Sequence, residues 1–219
     1  MTIGILGSGL MGGKLGTLFA RAGHEVVFSY ARSEQKLKRL ARQAKSNARA
    51  GTPAEAAREA DALLVAVHWS RIDDVLKQAG NLSGKVLVTC SLPMNADDTE
   101  LVLGHTSSGA EELARKARGS RVVSAFGTVP SEVLFSVFER RRRRVRPSLA
   151  YCGDDRSARE VAKKLIHDVG FEPLDAGPLR MARTLEPFTL LVAHLAYEGS
   201  RGPQMAYRFE WLPRKRRSA

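Results

Sequence analysis

A glycine-rich turn near the amino terminus constrains the fold of this chain more than any other feature. Gly7, Gly9 and Gly12 directly follow an apolar run at 2–6, and an amphipathic run of helical length opens at Gly9. Inside a strand–helix–strand unit this spacing is typical of a dinucleotide site: the first glycine permits a tight turn, the second lets the backbone approach a pyrophosphate, and the third lets the helix pack closely. A purely structural turn is the alternative, since glycines also collect in turns for conformational reasons.

The start of the helix after this turn is expected to hold the phosphates. Its backbone amides would face them, with the positive end of the helix dipole behind. The predicted pyrophosphate-binding residues are Gly7, Ser8, Gly9, Leu10, Met11 and Gly12.

The end of the second predicted strand, at 25–29, indicates which dinucleotide is preferred. An NAD site normally has Asp or Glu there, and that carboxylate would repel a 2′-phosphate. This chain instead has Ser29, Arg32, Ser33 and Lys36, which offer hydroxyls, a guanidinium that can fork onto phosphate, and an ammonium one turn later. The sequence therefore predicts NADP(H). The alternative is that Arg32 and Lys36 are ordinary surface charges at a helix start.

Alternation of short apolar runs with amphipathic runs predicts an α/β fold. We expect a Rossmann-like, doubly wound parallel sheet extended by a small carboxyl-terminal α/β portion. The predicted strands are 2–6, 25–29, 47–50, 62–67, 85–90, 121–125, 148–152 and 171–175. The predicted helices are 9–22, 33–46, one starting at 52–55, 71–78, 108–117, 155–169 and 179–197.

The domain organisation follows from this pattern. Residues 1–139 are expected to form the NADP-binding Rossmann domain, and residues 140–198 an extension that completes the acceptor cleft. Residues 199–219 have no strong period and form a basic tail, in which Phe209 and Trp211 are expected to contact a partner subunit.

The net charge of +12 raises nucleic acid as a partner, but its distribution argues against one. Ten of these charges lie in two patches, at 140–146 and 214–217, and the rest of the chain carries only +2. Neither patch is interleaved with aromatic residues that would stack on bases. A solvated loop and tail, or attraction of a polyanionic cofactor, are the competing interpretations.

Cysteine and hydropathy patterns predict where the protein resides. Cys90 and Cys152 lack metal-type spacing, no run approaches the ~18 apolar residues of a membrane helix, and no export signal is visible. We therefore expect a cytoplasmic protein without a metal or a membrane contact.

Segments far beyond the glycine turn carry a family resemblance. They are Gly-His-Glu-Val-Val at 23–27 leading to Arg32, Val-His-Trp at 67–69, the run 122–130, Cys-Gly-Asp-Asp at 152–155 and Leu-Asp-Ala-Gly-Pro-Leu at 174–179. Over residues 1–198 the chain resembles the NADPH-dependent coenzyme F-420 reductases, also called F-420-dependent NADP oxidoreductases. The resemblance implies a homodimer in which hydride passes directly between nicotinamide and a deazaflavin. The same module resembles the cytosolic part of transmembrane ferric reductases, whose acceptor is a flavin.

The acceptor pocket is expected just beyond the ends of the fourth, fifth and sixth strands, where open parallel sheets bind ligands. Direct hydride transfer needs position and exclusion of water rather than a catalytic triad. The predicted nicotinamide and acceptor residues are Val67, His68, Trp69, Cys90, Ser91, Pro93, Phe126, Gly127 and Thr128.

Each polar residue of this pocket has a structural alternative. Ser91 and Thr128 could hydrogen-bond the carboxamide or cap neighbouring helices. His68 could donate a proton, contact a phosphate, or serve only the structure. No motif indicates an activated thiolate at Cys90.

Two positions depart from the family pattern. Some members of the family carry Pro where this chain has His68, and His where it has Gly127. Gly127 removes bulk and a hydrogen-bonding group from the wall where the acceptor ring would pack. The remaining histidines are expected at the surface or as caps; they are His24, His105, His167 and His194.

The predicted function is hydride transfer between NADP(H) and a flavin-like or deazaflavin acceptor, with coenzyme F-420 or a flavin as co-substrate. An NADPH-binding sensor without turnover, or a reductase of another small substrate, remain alternatives. Hydroxyacid dehydrogenases and pyrroline carboxylate reductases share the glycine motif, but they place catalysis on a long helical domain, whereas strands are predicted here at 148–152 and 171–175.

Overall fold

A computed structural model describes residues 1–45 and 47–212 of the chain. The strands are β1 (Thr2–Leu6), β2 (Glu25–Ser29), β3 (Ala48–Ala50), β4 (Ala62–Val65), β5 (Val86–Thr89), β6 (Arg121–Ser124), β7 (Ser148–Gly153) and β8 (Glu172–Asp175). The helices are α1 (Leu10–Arg21), α2 (Glu34–Ala44), α3 (Pro53–Glu59), α4 (Ile72–Ala79), α5 (Gly109–Lys116), α6 (Leu134–Glu139), α7 (Arg156–Val169) and α8 (Ala182–Tyr197). Ser46 and the basic residues 214–217 lie outside the described part.

The eight strands form one sheet in the order β3-β2-β1-β4-β5-β6-β7-β8. Chain order reverses at β1, which pairs with β2 on one side and β4 on the other. In such a sheet the ligand crevice lies outside the carboxyl ends of the strands at this reversal. The α/β Rossmann-like prediction is confirmed, and the fold places the glycine turn, which follows β1, at that crevice.

The central strands are buried on both faces of the sheet, and for this reason they appear in the sequence as continuous apolar runs. All residues of β4 and β5 are buried, as are the last four residues of β1. Helices cover both faces, and one packed cluster on each face fills the space beneath them. Parallel strands covered in this way have no polar face, so the sequence loses its alternation.

One pairing departs from the predicted parallel sheet. β7 runs antiparallel to β6, with Ser124 opposite Cys152, and β8 then runs parallel to β7. The sheet thus continues beyond residues 139 and 140, where the sequence predicts a domain boundary. The division into two domains remains a prediction. The direction of β7 could not be read from its sequence, because an apolar run has the same pattern in either orientation. The intervening helix α6 was also missed, since its six residues hold too few turns to show a helical period.

His24 is neither the surface residue nor the helix cap that the sequence predicted. Its side chain is 4% exposed, and its Nε2 lies 2.8 Å from Oδ2 of Asp168. Burial lowers the pKa of His24 below its usual value, although the Asp168 carboxylate opposes the shift. The prediction was wrong because the partner lies on α7, far along the chain, where no local spacing could reveal it.

None of the helices in the described ranges combines the length and apolar composition needed to cross a bilayer. Over the same residues, no three side chains of His, Cys, Asp or Glu come together as a metal site would require.

We expect Gly12→Ala to destabilise the fold strongly. A Cβ at Gly12 would lie 1.9 Å from the backbone oxygen of Gly7, so either the turn or α1 would have to move. Overpacking of this kind costs about 3 kcal/mol, measurable as a lower free energy of unfolding in urea. Gly9→Ala is the control, because a Cβ at Gly9 meets nothing within 4 Å. Equal stability of the two variants would contradict the packing role of Gly12.

Candidate functional site

The glycine turn has the geometry that a pyrophosphate site needs. Gly7 adopts a φ of +111°, and a Cβ there would lie 2.4 Å from the Ala66 oxygen on the neighbouring strand connection. Gly12 packs so closely against the Gly7 oxygen that it leaves no room for a Cβ. A Cβ at Gly9, by contrast, would point into open space. Two glycines are therefore required by the protein itself, whereas Gly9 is free for a ligand to approach.

The first turn of α1 presents uncapped amides toward this space. No side chain caps the helix at Gly9, and its first turn contains no acidic residue. Four other helices, in contrast, have a side-chain cap: Ser33 on α2, Thr52 on α3, Ser108 on α5 and Asp155 on α7. The free amides and the positive helix end of α1 suit an anionic phosphate group.

Serine hydroxyls behind the turn are used within the protein. The Ser8 hydroxyl donates to the backbone oxygen of Ser29 at 2.8 Å, and the Ser29 hydroxyl donates to the Ile5 oxygen at 2.7 Å. Both serines are fully buried. The Ser29 side chain therefore braces β2 against β1, and its predicted contact with the cofactor would require it to leave this position.

A cleft of about 1250 Å³ opens at the carboxyl ends of β1, β2 and β4. Many of the predicted cofactor residues line it: Gly7, Ser8, Gly9, Leu10, Arg32, Lys36, Val67 and His68. Other predicted residues lie outside its lining: Met11, Gly12, Ser29, Ser33, Cys90 and Ser91. The structure thus assembles most of the predicted set around one concave surface.

The charge of the cleft is concentrated where β2 leads into α2. Arg32 is exposed there, and Lys36 is half-buried one turn further. Ser33 caps α2 by accepting a hydrogen bond from the Lys36 amide at 3.3 Å. Arg71, at the start of α4, adds a cation from the opposite wall, which sequence reasoning missed. Arg32, Lys36 and Arg71 therefore line one cleft, together with Lys38, which pairs with Glu34.

Tyr30 and Asp74 form a contact across the cleft that the sequence did not reveal. Tyr30 follows β2 with a φ of +54°, and its hydroxyl donates to Asp74 Oδ2 at 2.5 Å. Burial, and then the Asp74 contact, raises the pKa of Tyr30 to about 12. Gln78 also donates to Asp74, at 3.1 Å. Only the sheet order brings β2 and α4 together, so no local signal could have identified this group.

His68 stands at the rim of the cleft with both ring nitrogens engaged. Its Nδ1 accepts from the Ser70 amide at 3.2 Å, and its Nε2 lies 3.1 Å from Oδ1 of Asp98. With Nδ1 as acceptor, the proton of a neutral ring resides on Nε2 and points to the carboxylate. The Nε2 atom of His68 therefore faces the loop that carries Asp98.

The predicted acceptor pocket is nearly closed. Beside Gly127 lies a cavity of only about 10 Å³, bordered by Ser91, Thr128 and residues of α8. The Ser91 hydroxyl bridges the turn after β4, accepting from the Val67 amide at 3.2 Å and donating to the Val67 oxygen at 2.8 Å. Thr128 shares a hydrogen bond of 2.7 Å with the Tyr207 hydroxyl. Both hydroxyls thus hold backbone segments in place.

Three more predicted pocket residues are packed into the protein. Phe126 is fully buried, with its ring edge-on to Phe19 at 5.9 Å between centroids, so its side chain points into the core rather than toward a ligand. Pro93 is buried against Gly109. Burial also raises the pKa of Cys90 to about 12, which agrees with an unactivated thiol. Trp69 remains half-buried beside His68.

Glu186 is a buried carboxyl group that the sequence gave no reason to select. It lies on α8, is 3% exposed, and accepts from the amides of Gly109 and Ala110 at 2.9 and 3.0 Å. Burial raises its pKa to about 7, against the lowering effect of the two amides. Glu186 ties α8 to the start of α5 and borders the cavity beside Gly127.

Several known proteins are similar to this chain. A family model described as NADP oxidoreductase, coenzyme F-420-dependent, matches residues 2–93. The chain is 26% identical over 210 residues to the F-420-dependent NADP reductase of Methanothermobacter thermautotrophicus, covering 89% of each protein. A crystal structure of a protein from Arthrobacter sp. FB24, described as an F-420-dependent NADP reductase, shares the fold with a TM-score of 0.81 at 20% identity, over 95% of this chain and 99% of that one.

A second relative has a different name. The chain is 31% identical over 188 residues to Metalloreductase STEAP3 of Rattus norvegicus, a match that covers 86% of this chain. The chain spans only 36% of the length of that relative. This relative is named for the reduction of a metal, whereas the relatives above are named as F-420-dependent NADP reductases.

Gly9→Ala is expected to weaken NADP(H) binding by about tenfold or more while leaving the fold intact. The added methyl group would occupy the space through which a phosphate approaches the α1 amides, and it would meet no protein atom within 4 Å. Fluorescence titration with NADPH measures the effect. Gly104→Ala, at another glycine with open surroundings, is the matched control. Unchanged affinity of Gly9→Ala would place the pyrophosphate elsewhere.

Ionisation of Glu186 is expected to destabilise the fold. The pKa of Glu186 is about 7 in the folded state and 4.5 ordinarily. The contribution of this group to stability is therefore fully present below pH 4.5 and is lost as the pH rises through 7. The free energy of unfolding should fall by on the order of 3 kcal/mol across this window.

Urea denaturation of wild type and Glu186→Gln at a series of pH values measures this loss. The variant loses a hydrogen-bond acceptor at every pH, but it should lack this component of the pH dependence. Parallel curves for the two proteins would show that Glu186 is ionised without penalty.

Proposed function

We propose that this chain, which belongs to the coenzyme F-420-dependent NADP oxidoreductase family, transfers hydride between NADP(H) and a flavin-like or deazaflavin acceptor. Its similarity to NADP oxidoreductases supports NADP(H) as the cofactor. The acceptor is the proposed part. Coenzyme F-420 is the first candidate because the family and one relative carry its name, and a flavin is the second.

The observation that carries this proposal is the pairing of an open glycine turn with cations and no carboxylate at the end of β2. Gly9 leaves space beside uncapped amides, while Arg32, Lys36 and Arg71 face the cleft. Each of the three acids that line the cleft has another partner in the protein. Glu34 pairs with Lys38 at 2.6 Å, Asp74 accepts from Tyr30, and Glu55 accepts from the Thr52 amide at 2.7 Å. We propose that these three cations hold the 2′-phosphate.

Bound NADPH supplies a hydride from its nicotinamide, and the acceptor takes up that hydride with one proton. For such a transfer the chain contributes position and shielding from water. Ser91 fixes the turn at Val67, which lines the cleft where the ring would rest. We propose that His68, whose Nε2 lies at the rim, would give a proton to the acceptor from its imidazolium form and return to the neutral imidazole, once the Asp98 contact opens.

The acceptor is proposed to approach from the rim beside His68 and Trp69. A cavity of about 10 Å³ cannot hold a ring, so the space beside Gly127 is not an entrance in this arrangement. Addition of a Cβ at Gly127 would still leave 3.6 Å to Thr189 on α8. The closed packing of α8 there favours entry on the cleft side.

A homodimer in the cytoplasm is also proposed. Apolar side chains of α8 are exposed, with Leu191 at 53% and Leu195 at 48%, and they form a surface that a second copy could cover. Phe209, expected on a partner, instead contacts its own chain through Tyr207 and Ser148, whereas Trp211 is 89% exposed. Trp211 therefore remains a candidate for a subunit contact.

Arg32→Ala is expected to weaken NADPH binding by about tenfold to a hundredfold and to leave NADH binding unchanged. A charge-assisted hydrogen bond contributes about 1.5–3 kcal/mol, and only NADPH carries the phosphate that would receive it. Titration of both dinucleotides measures the ratio. Arg39→Ala removes an exposed charge from the same helix outside the cleft and should change neither affinity. Equal weakening of NADH by Arg32→Ala would contradict phosphate recognition.

Assays with F-420, FAD, FMN and a ferric chelate, each with NADPH, test the acceptor. Oxidation of NADPH by F-420 or by a free flavin supports the proposal. Turnover with the ferric chelate alone would instead support a metal reductase. Tight NADPH binding with no oxidation by any acceptor would favour a sensor, or a reductase of another small substrate.

A further inference from the structure

A groove lined by arginines lies apart from the cofactor cleft and shares none of its lining residues. Its volume is about 450 Å³, a size typical of small-molecule sites. It is bounded by α6, by the turn 140–147 before β7, by Gly170 at the end of α7, and by segment 204–206 of the tail. Neither the family resemblance nor the hydride transfer assigns this groove a role.

Three arginines line the groove, and a backbone hydrogen bond within the turn brings two of them to the same side. Arg140, Arg143 and Arg146 stand three residues apart and all line it. The Arg143 amide donates to the Arg140 oxygen at 2.9 Å, which closes one turn of the backbone and brings these two side chains to the same side. The arginine run at 140–146 thus forms a concave surface rather than a free loop.

Packing beneath the turn fixes this arrangement. The Arg141 guanidinium lies over the Phe138 ring at 3.9 Å and donates to the Phe138 oxygen at 2.9 Å. Gly170, with a φ of +112°, passes so close that a Cβ there would lie 2.8 Å from the Arg141 Cβ. A side chain at Gly170 would push the turn away, so the close approach is built into the sequence.

The tail forms the opposite wall and is also anchored. The Tyr207 oxygen accepts from the Ser148 amide at 2.8 Å, and the Tyr207 hydroxyl bonds to Thr128. The Tyr207 ring packs edge-on against Phe188 at 5.1 Å between centroids. Segment 204–206 is therefore held against the molecule beside the arginine turn.

The positive charge of the groove is hardly neutralised by the protein. Its lining contains no Asp or Glu. Within the described ranges, Arg140 and Arg143 form no ion pair, and Arg146 reaches only Glu172, at 3.9 Å. The Arg146 Nε is buried and has no hydrogen-bond partner in that part of the chain. Repulsion among such charges costs stability, and a bound anion would relieve it.

We propose that this groove binds a small polyanion, in which two or three phosphate or carboxylate groups are carried on a flexible chain. Guanidinium groups form forked hydrogen bonds with both kinds of oxyanion. The rest of the lining is mainly aliphatic and contains no aromatic ring, so it cannot stack nucleic-acid bases. The enclosed volume likewise suits a small molecule better than a duplex, which needs an extended basic surface.

Calorimetric titration of the full chain with sodium tripolyphosphate and, separately, with a tetraglutamate peptide tests the proposal. The wild type should bind at least one of them, more weakly as salt rises. Arg140→Gln/Arg143→Gln/Arg146→Gln should reduce that affinity by tenfold or more. The matched control Arg39→Gln/Arg118→Gln/Arg156→Gln removes the same charge from exposed positions outside the groove and should change it less than twofold.

A double variant tests whether misfolding explains the loss of binding, and titration with a DNA duplex tests for non-specific charge attraction. Arg140→Gln/Arg143→Gln keeps the Arg146 contact with Glu172 and should still weaken anion binding several-fold, with NADPH affinity unchanged. Preference for phosphate or carboxylate identifies the ligand class. The proposal is overturned if the wild type binds neither anion, if the control triple variant loses as much affinity as the groove variant, or if a DNA duplex binds more tightly than both anions.

Discussion

The close approach of α1 to the turn after β1 is the constraint on which the rest of the site depends. With a hydrogen atom in place of a side chain at Gly12, the helix begins against the Gly7 oxygen. The start of α1 consequently points into the crevice at the reversal of the sheet, with its amides uncapped. A larger side chain at either position would rotate the helix start away, and the cations on the β2 and β4 connections would face no phosphate site.

Within residues 1–45 and 47–212, basic side chains gather at two separate surfaces. In the cofactor cleft, few cations stand opposite free amides, and the nearby acids are turned to other partners, as Asp74 is to Tyr30. In the groove before β7, arginines converge with almost no acid among them. The net charge of +12 is therefore not a uniform surface property, and it carries little information about function until each arginine is placed.

The side of the sheet beyond β6 is closed by α8 and the tail. Glu186 anchors α8 through two amides of α5, and Tyr207 anchors the tail through Thr128. Both contacts border the space beside Gly127. Packing of α8 thus nearly closes the space beside Gly127, and the proposed acceptor surface lies at the rim beside His68 and Trp69.

Local sequence determined the first half of the molecule and the glycine turn at which NADP(H) is proposed to bind. The glycine turn, the buried strands and the caps at Thr52 and Ser108 each depend on neighbours within a few residues, so the pattern alone predicts them. The chemistry of the β2 end, with Arg32 and no carboxylate, was readable for the same reason. Tertiary structure alone decided which groups face a ligand. Phe126 and Ser29 turned inward, and Tyr30 met Asp74, because distant strands and helices were brought together by the order of the sheet rather than by spacing along the chain.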